Sequence, residues 1–233
     1  MKGIAPSPEL ATSTVEVDLS AWNQVFVVGD VHGCAQELRT LLSRLRPDSN
    51  DLVLFAGDLV RKGPASDDVV DIVRANQNYK SVCGNNEAKV INGYVSVDEL
   101  SAEDIEWLET LPNAFRWETG LLVHGGVNPR ADTQTPSTVR CVRSLAENPG
   151  YGNSPYWWQL HEMPPRVFFG HTVFSDPFIT HRAVGIDTGC VYGGALSAIN
   201  IRTGEVTQVE SNGVYQERAD SAILNPGNVV RNN

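Results

Sequence analysis

The sequence is short of positive charge, of paired cysteines and of long apolar runs. Eighteen lysines and arginines stand against 28 aspartates and glutamates, a formal net charge of −10 over 233 residues. That balance leaves no basic face with which to hold nucleic acid or an anionic membrane non-specifically. An anionic substrate must then be met locally, by metal or by a few cations. No stretch reaches the roughly 18 consecutive apolar residues of a membrane span, and the first residues carry no basic region followed by an apolar core. The four cysteines, Cys34, Cys83, Cys141 and Cys190, are dispersed and form no CxxC pair. This argues against a zinc ribbon or a thioredoxin-like motif and predicts free, mostly structural thiols suited to a reducing compartment. A soluble, cytoplasmic protein is the expectation.

The remaining composition, 41% hydrophobic and 20% charged, fits one compact domain. Residues 1–21 and 212–233 are polar, with Pro, Asn and Gly scattered through them, and are expected to be tails around a domain at 22–211. Residues 24–28 (QVFVV) read as a buried strand. The leucines at 38, 41, 42 and 45 then fall at helical spacing, up to Pro47. The run DLVLFA at 51–56 repeats the pattern, followed by a helix that Ser66 would cap, and 79–82 predicts a third strand. This alternation predicts a parallel sheet with helices packed on it, an α/β fold. A helix is expected near 102–110. Strands are expected at 114–118, 121–123, 167–169, 183–186, 196–201 and 206–210, with an irregular cap and a short helix within 131–165.

In such a sheet the ligand crevice lies outside the carboxyl ends of the strands. Strand ends here carry Asp30 and His32 in GDVHG, Asp58 in GDLVRKGP, Asn85 in CGNNE, His124 in VHGGV and His171 in FFGHTVF. Six oxygen and imidazole donors in one small volume would be left unpaired unless something cationic collected them. Carboxylate, amide and imidazole together suit manganese first, with iron or zinc next. Two divalent ions fit better than one: Asp58 bridges, Asp30 and His32 hold the first ion, and Asn85, His124 and His171 hold the second. Such a pair, about 3.5–4 Å apart, acidifies a bridging water and clamps both oxygens of an in-line phosphoryl displacement.

The motifs GDVHG (29–33), GDLVRKGP (57–64), GNNE (84–87), HGG (124–126) and GHT (170–172) resemble those of the phosphoprotein-phosphatase family of calcineurin-like metallophosphoesterases. That family's pattern runs GDxHG, GDxVDRG, GNHE, HGG and GH. The resemblance covers about 25–201. The stretches VFFGHTVF and GIDTGCVYGGALSA, with Lys62 where most relatives carry arginine, are similar to the ApaH-like, diadenosine-tetraphosphatase-related branch. The resemblance implies the metal roles given above and a four-layered α-β-β-α sandwich with an irregular cap.

This chain also departs from the pattern. Asn86 stands where the family has the GNHE histidine, Arg61 where it has the partner aspartate, and Cys83 where it has a phosphate-clamping arginine. An amide donates a hydrogen bond but delivers no proton at neutral pH. Loss of a positioned acid removes about 10²- to 10⁴-fold of rate. Asn86 is therefore expected to hydrogen-bond a phosphoryl oxygen or the leaving group, with Glu87 at the following helix terminus. Arg61 and Lys62 would add charge beside a polyanion. The expected substrates are phosphoanhydrides such as dinucleoside polyphosphates, polyphosphate or a nucleotide cap, whose leaving groups depart as stable anions. A serine/threonine phosphoprotein phosphatase and a metal- or phosphate-binding module without turnover are the alternatives. Arg140 and Arg143 would either place a guanidinium over the phosphate or stay solvated. Trp157 and Trp158 fit cap packing better than nucleobase stacking. His161 and His181 are candidate replacement acids, expected to be structural or exposed.

Overall fold

A computed structural model describes residues 9–10, 12–145, 155–219 and 222–229. The first sheet holds β3 (Val25–Val28), β4 (Leu52–Phe55), β5 (Tyr79–Ser81), β12 (Ala195–Asn200) and β13 (Val206–Glu210), in the order β13-β12-β3-β4-β5. Strands β3, β4 and β5 are parallel, while β12 runs antiparallel to both β3 and β13. Side chains alternate between faces along a strand. Phe26, Val28, Val53 and Phe55 therefore pack outward on Leu38 and Leu41 of α1 (Ala35–Leu45) and on Val69, Val70 and Val73 of α2 (Ser66–Arg74). Val25, Val27, Leu52 and Leu54 point inward, against Phe115, Trp117, Leu122, Phe168 and Val184 of the second sheet. Burial on both faces explains the continuous apolar runs that marked these strands in the sequence.

The second sheet comprises β2 (Thr14–Glu16), β6 (Ala114–Trp117), β7 (Gly120–Val123), β9 (Arg166–Phe169), β10 (Phe178–Ile179) and β11 (Ala183–Gly185), in the order β10-β11-β9-β7-β6-β2. Strands β7, β9 and β11 are parallel. Leu121, Val123, Val167 and Phe169 on its outer face meet Trp157, Trp158, Phe174 and Phe178. The fourth layer is thin, made of α5 (Pro136–Cys141), a single 3₁₀ turn at Trp157–Gln159 and α6 (Pro226–Val229). The α-β-β-α sandwich is thus present, with the cap expected at 131–165 as its outer layer; residues 146–154 lie outside the described residues. Helices α3 (Asn85–Ile91) and α4 (Ala102–Glu109) follow β5, and a two-residue ladder joins β1 (Glu9–Leu10) to β8 (Thr133–Gln134).

The terminal segments do more than the sequence led one to expect. Strand β2 adds in parallel to β6, and Val17 and Leu19 pack on the inter-sheet core. On the other side Val214 bridges to Tyr192, and Val229 is buried and accepts the Trp158 indole N–H through its carbonyl. Main-chain pairing needs no apolar run, so polar composition concealed it.

Trp158 stacks on Phe169 and Tyr156 with centroids 5.4 and 4.5 Å apart, and it is 7% exposed. It fills the cap and does not serve as an open platform. Replacing Trp158 with Ala is expected to cost about 3–5 kcal/mol in urea denaturation; a change within about 0.5 kcal/mol, the usual surface value, would contradict this packing.

Candidate metal centre

The parallel strands of both sheets deliver their carboxyl ends to one cleft. Asp30 and His32 follow β3, Asp58 follows β4, Asn85 and Asn86 open α3 after β5, and His124, His171 and Asp187 follow β7, β9 and β11. The backbone turns sharply to aim them. Of the six non-glycine residues with positive φ among those described, five are His32, Asp58, Arg61, Lys62 and His171. Strained backbone of this kind, roughly 1–3 kcal/mol per residue, persists where the surroundings over-determine it. Two glycines let the carboxylates seat: a Cβ on Gly84 would lie 2.3 Å from Asp58 Oδ1, and one on Gly170 would lie 2.0 Å from Asp30 Oδ1.

Two groups of donors result, Asp30–His32–Asp58 and Asp58–His124–His171, each with its ligand atoms within 4.8 Å of one another and with Asp58 common to both. Asn85 joins the second, its Oδ1 3.0 Å from His124 Nε2. The six residues singled out in the sequence therefore meet. His124 Nδ1 lies 2.7 Å from the Ala56 carbonyl and His32 Nδ1 lies 3.2 Å from the Val60 carbonyl. A carbonyl only accepts, so each Nδ1 carries the proton and donates it, leaving the Nε2 lone pair free to ligate. Those Nε2 atoms face carboxylate oxygens, at 3.4 Å for His124 with Asp58 and at 3.5 and 3.8 Å for His32 with Asp58 and Asp30. Lone pairs confronting buried carboxylates repel unless positive charge lies between them.

The electrostatics agree. Burial, and then the Asp187 charge, raise Asp30 well above the usual carboxylate range. Burial would also raise Asp58, but His124, His32 and Lys62 hold it well below that range. Burial would depress His124, yet the Asp58 and Asp30 charges lift it to about 9. His32 is held down at about 3, and His171 well below its ordinary value, both chiefly by burial. Lys62 Nζ lies 2.7 Å from His32 Nε2.

Glu87 sits beneath the cluster and is fully buried. Oε2 accepts the N–H groups of Asp58 and Gly84, each at 2.8 Å, and Oε1 accepts that of Val60 at 3.2 Å. It is thus at the helix terminus as expected, and it also holds the Asp58 turn. Burial and then Asp58 push it up to about 7, opposed first by His124 and then by the N–H donors of Val60 and Asp58.

Asn86 behaves differently from the expectation that it reaches a phosphoryl oxygen or the leaving group. Its amide Nδ2 donates to Asp58 Oδ2 and its Oδ1 accepts from Arg61, so both ends of the side chain are engaged within the site. Ser66, expected to cap α2, is instead its first residue, with a hydroxyl that accepts the Arg61 N–H at 3.0 Å. Arg61, Lys62 and Arg143 line an open cleft of about 440 Å³ over the cluster. Arg143 also donates to the His171 carbonyl at 2.9 Å, whereas Arg140 is turned to Asn113 Oδ1 at 2.7 Å. His161 is buried against Trp157 with Nε2 2.8 Å from the Pro165 carbonyl, and His181 lines a separate hollow with Arg166 and Arg182. Neither borders the cleft.

Sequence reading missed Asp187, Tyr192, Lys89 and Arg218, all of which line the cleft. Asp187 follows a strand, in GIDTG, so the strand-end rule would have found it. Arg218 lies in the segment expected to be a tail, and its guanidinium stands 4.7 Å from the centre of the Tyr192 ring, with Lys62 Nζ 5.3 Å from the same ring.

Residues 24–189 match the family described as Calcineurin-like phosphoesterase. A symmetrical bis(5'-nucleosyl)-tetraphosphatase of Janthinobacterium sp. (strain Marseille) is 25% identical, over 79% of this chain and 95% of its own. An asymmetrical bis(5'-nucleosyl)-tetraphosphatase of Halalkalibacterium halodurans is 28% identical, over 81% of this chain and 94% of its own. A crystal structure described provisionally as a diadenosine tetraphosphatase superposes with a TM-score of 0.79 at 28% identity, covering 87% of this chain and 100% of that one. A protein serine/threonine phosphatase from Saccharomyces cerevisiae, at 15% identity and a TM-score of 0.60 over 91% of this chain and 86% of its own, shares the fold.

Because glutamine has one acceptor oxygen where Glu87 offers two, Glu87→Gln leaves a backbone N–H of the Asp58 turn facing an NH₂ group. The variant should lose about 1–3 kcal/mol in urea unfolding and bind Mn²⁺ about 10- to 100-fold more weakly by calorimetric titration. Unchanged values for both would refute the role given to Glu87.

Proposed function

The chain belongs to the calcineurin-like phosphoesterase family, and from that membership we propose a hydrolase of phosphoanhydrides, with dinucleoside polyphosphates as its leading substrates. Asp30, His32, Asp58, Asn85, His124 and His171 would hold two divalent cations, manganese first, with Asp58 shared. The fit rests on the paired donor groups and on the Nε2 lone pairs that face carboxylates. When bound, such cations neutralise phosphoryl charge and lower the pKa of water to make it a nucleophile at neutral pH.

The observation that carries the choice of substrate is the company Asn86 keeps. Where a proton donor is needed for an alkoxide leaving group, this chain has an amide spanning Asp58 and Arg61. Around it the cleft presents Arg61, Lys62, Lys89, Arg143 and Arg218. Cations hold and neutralise a polyphosphate chain but lend no proton at neutral pH. A nucleotide or phosphate leaves as a stable anion without one, whereas a serine alkoxide does not. The tetraphosphatase names of the relatives point the same way. In this reading Asn86 orients the Arg61 guanidinium and the Asp58 carboxylate. No helix among the described residues is long and apolar enough to cross a membrane. The cytoplasm is the proposed location, which suits four cysteines free of disulfides.

Phosphate release with Mn²⁺ from diadenosine tetraphosphate and from a phosphoserine peptide tests the reading. The anhydride should be preferred by at least about 100-fold in kcat/KM, the lower bound for a missing general acid, and EDTA should abolish turnover. Comparable turnover of the two would favour a phosphoprotein phosphatase instead. Asp58→Asn should remove activity on both substrates; a variant as active as wild type would end the catalytic reading.

A further inference from the structure

A second cluster lies beside the first and has a different chemistry. Cys34 is the N-cap residue of α1, Glu37 lies in the first turn of that helix, and Cys190 follows the Asp187 loop. Exposures are 0%, 1% and 1%, and their ligand atoms all lie within 4.8 Å of one another. No disulfide joins the cysteines, and the Cys34 thiol donates to the His32 carbonyl at 3.9 Å. Glu37 uses one oxygen fully: Oε1 accepts the Asn212 N–H and the Tyr215 hydroxyl, each at 2.9 Å. The other oxygen, Oε2, is buried with no hydrogen-bond partner. A buried carboxylate oxygen without a donor is costly, and this carboxylate lies within ligand distance of two sulfurs.

We propose that Cys34, Cys190 and Glu37 form a structural zinc site, distinct from the candidate metal centre and built for a softer ion. Two sulfurs and a carboxylate oxygen are zinc ligands, whereas the oxygen and imidazole donors around Asp58 suit manganese. A water would complete four-coordination, since the nearby Ser211 hydroxyl donates to the Gly213 carbonyl at 2.7 Å. Binding replaces the two thiol protons, which pass to solvent, and the resulting thiolates and carboxylate carry three negative charges against two on the ion. A Cys34–Cys190 disulfide would consume the sulfurs yet leave Glu37 Oε2 unpaired, so the carboxylate favours the cation. The ion would tie together three segments that flank the cleft. Cys34 is joined to the loop of Asp30 and His32, Cys190 to the loop of Asp187, and Glu37 to the C-terminal segment that carries Arg218.

Cobalt substitution of the full-length protein tests the site, since thiolate-to-cobalt charge transfer absorbs in the near ultraviolet and carboxylate or imidazole ligation does not. Protein stripped with chelator and refilled with Co²⁺ should show that band. It should persist in Asp58→Asn and in Cys141→Ser, and disappear in Cys34→Ser and Cys190→Ser. In wild-type protein, Zn²⁺ should shield Cys34 and Cys190 from alkylation, mapped by mass spectrometry, and EDTA should remove the shielding; this readout needs no variant to fold. The proposal is overturned by any of three results: wild type without the band, a band that survives loss of both cysteines, or a Cys34–Cys190 disulfide in protein purified under reducing conditions.

Discussion

The structure turns on two carboxylates that are almost wholly buried at the floor of the cleft. Asp30 and Asp58 are 3% and 2% exposed, and around them stand imidazoles whose backbone partners fix the proton on Nδ1. Like charges buried this closely are tenable only if opposite charge is gathered with them. Much else in the fold serves that condition. Glu87 holds the Asp58 turn from below, the glycines at 84 and 170 make room for the carboxylates, and five residues accept a left-handed backbone to point inward.

The layers around the site supply the rigidity that such strain requires. Each sheet is covered on both faces, by α1 and α2 on one side and by the aromatic cap on the other, with the inter-sheet core between them. Close-packed interiors resist displacement. Loops rooted in strands buried on both faces therefore keep side chains from opposite sheets within ligand distance across a cleft otherwise open to solvent.

Much of this was legible in the sequence because it follows from short-range rules. Apolar runs of strand length ending in Gly-Asp or in Gly-His marked where Asp30, Asp58 and His171 would lie, and the crevice rule brought them together. Most of what escaped depended on long-range partners. Arg218 looked like part of a tail because nothing local says that its chain doubles back over Tyr192. Asn86 was expected to look outward, but its orientation is set by Arg61 and Asp58 from another loop. Ser66 has the composition of a helix cap, but the loop before α2 folds back so that its hydroxyl accepts the Arg61 N–H, a local contact that composition does not reveal. Cys34 and Cys190 form no spacing motif, since the sandwich, and no local turn, makes them neighbours.

The three-residue strand at Thr14–Glu16 forms one margin of the second sheet, beside β6. An unprotected margin offers its amides and carbonyls to any extended chain, and short, charge-bearing border strands are a common defence against such templating. Half-exposed and ending in a glutamate, this segment covers the longer apolar β6 and denies other molecules that foothold. The border thus passes from β6, whose Phe115 and Trp117 are buried in the inter-sheet core, to three residues with a charged end.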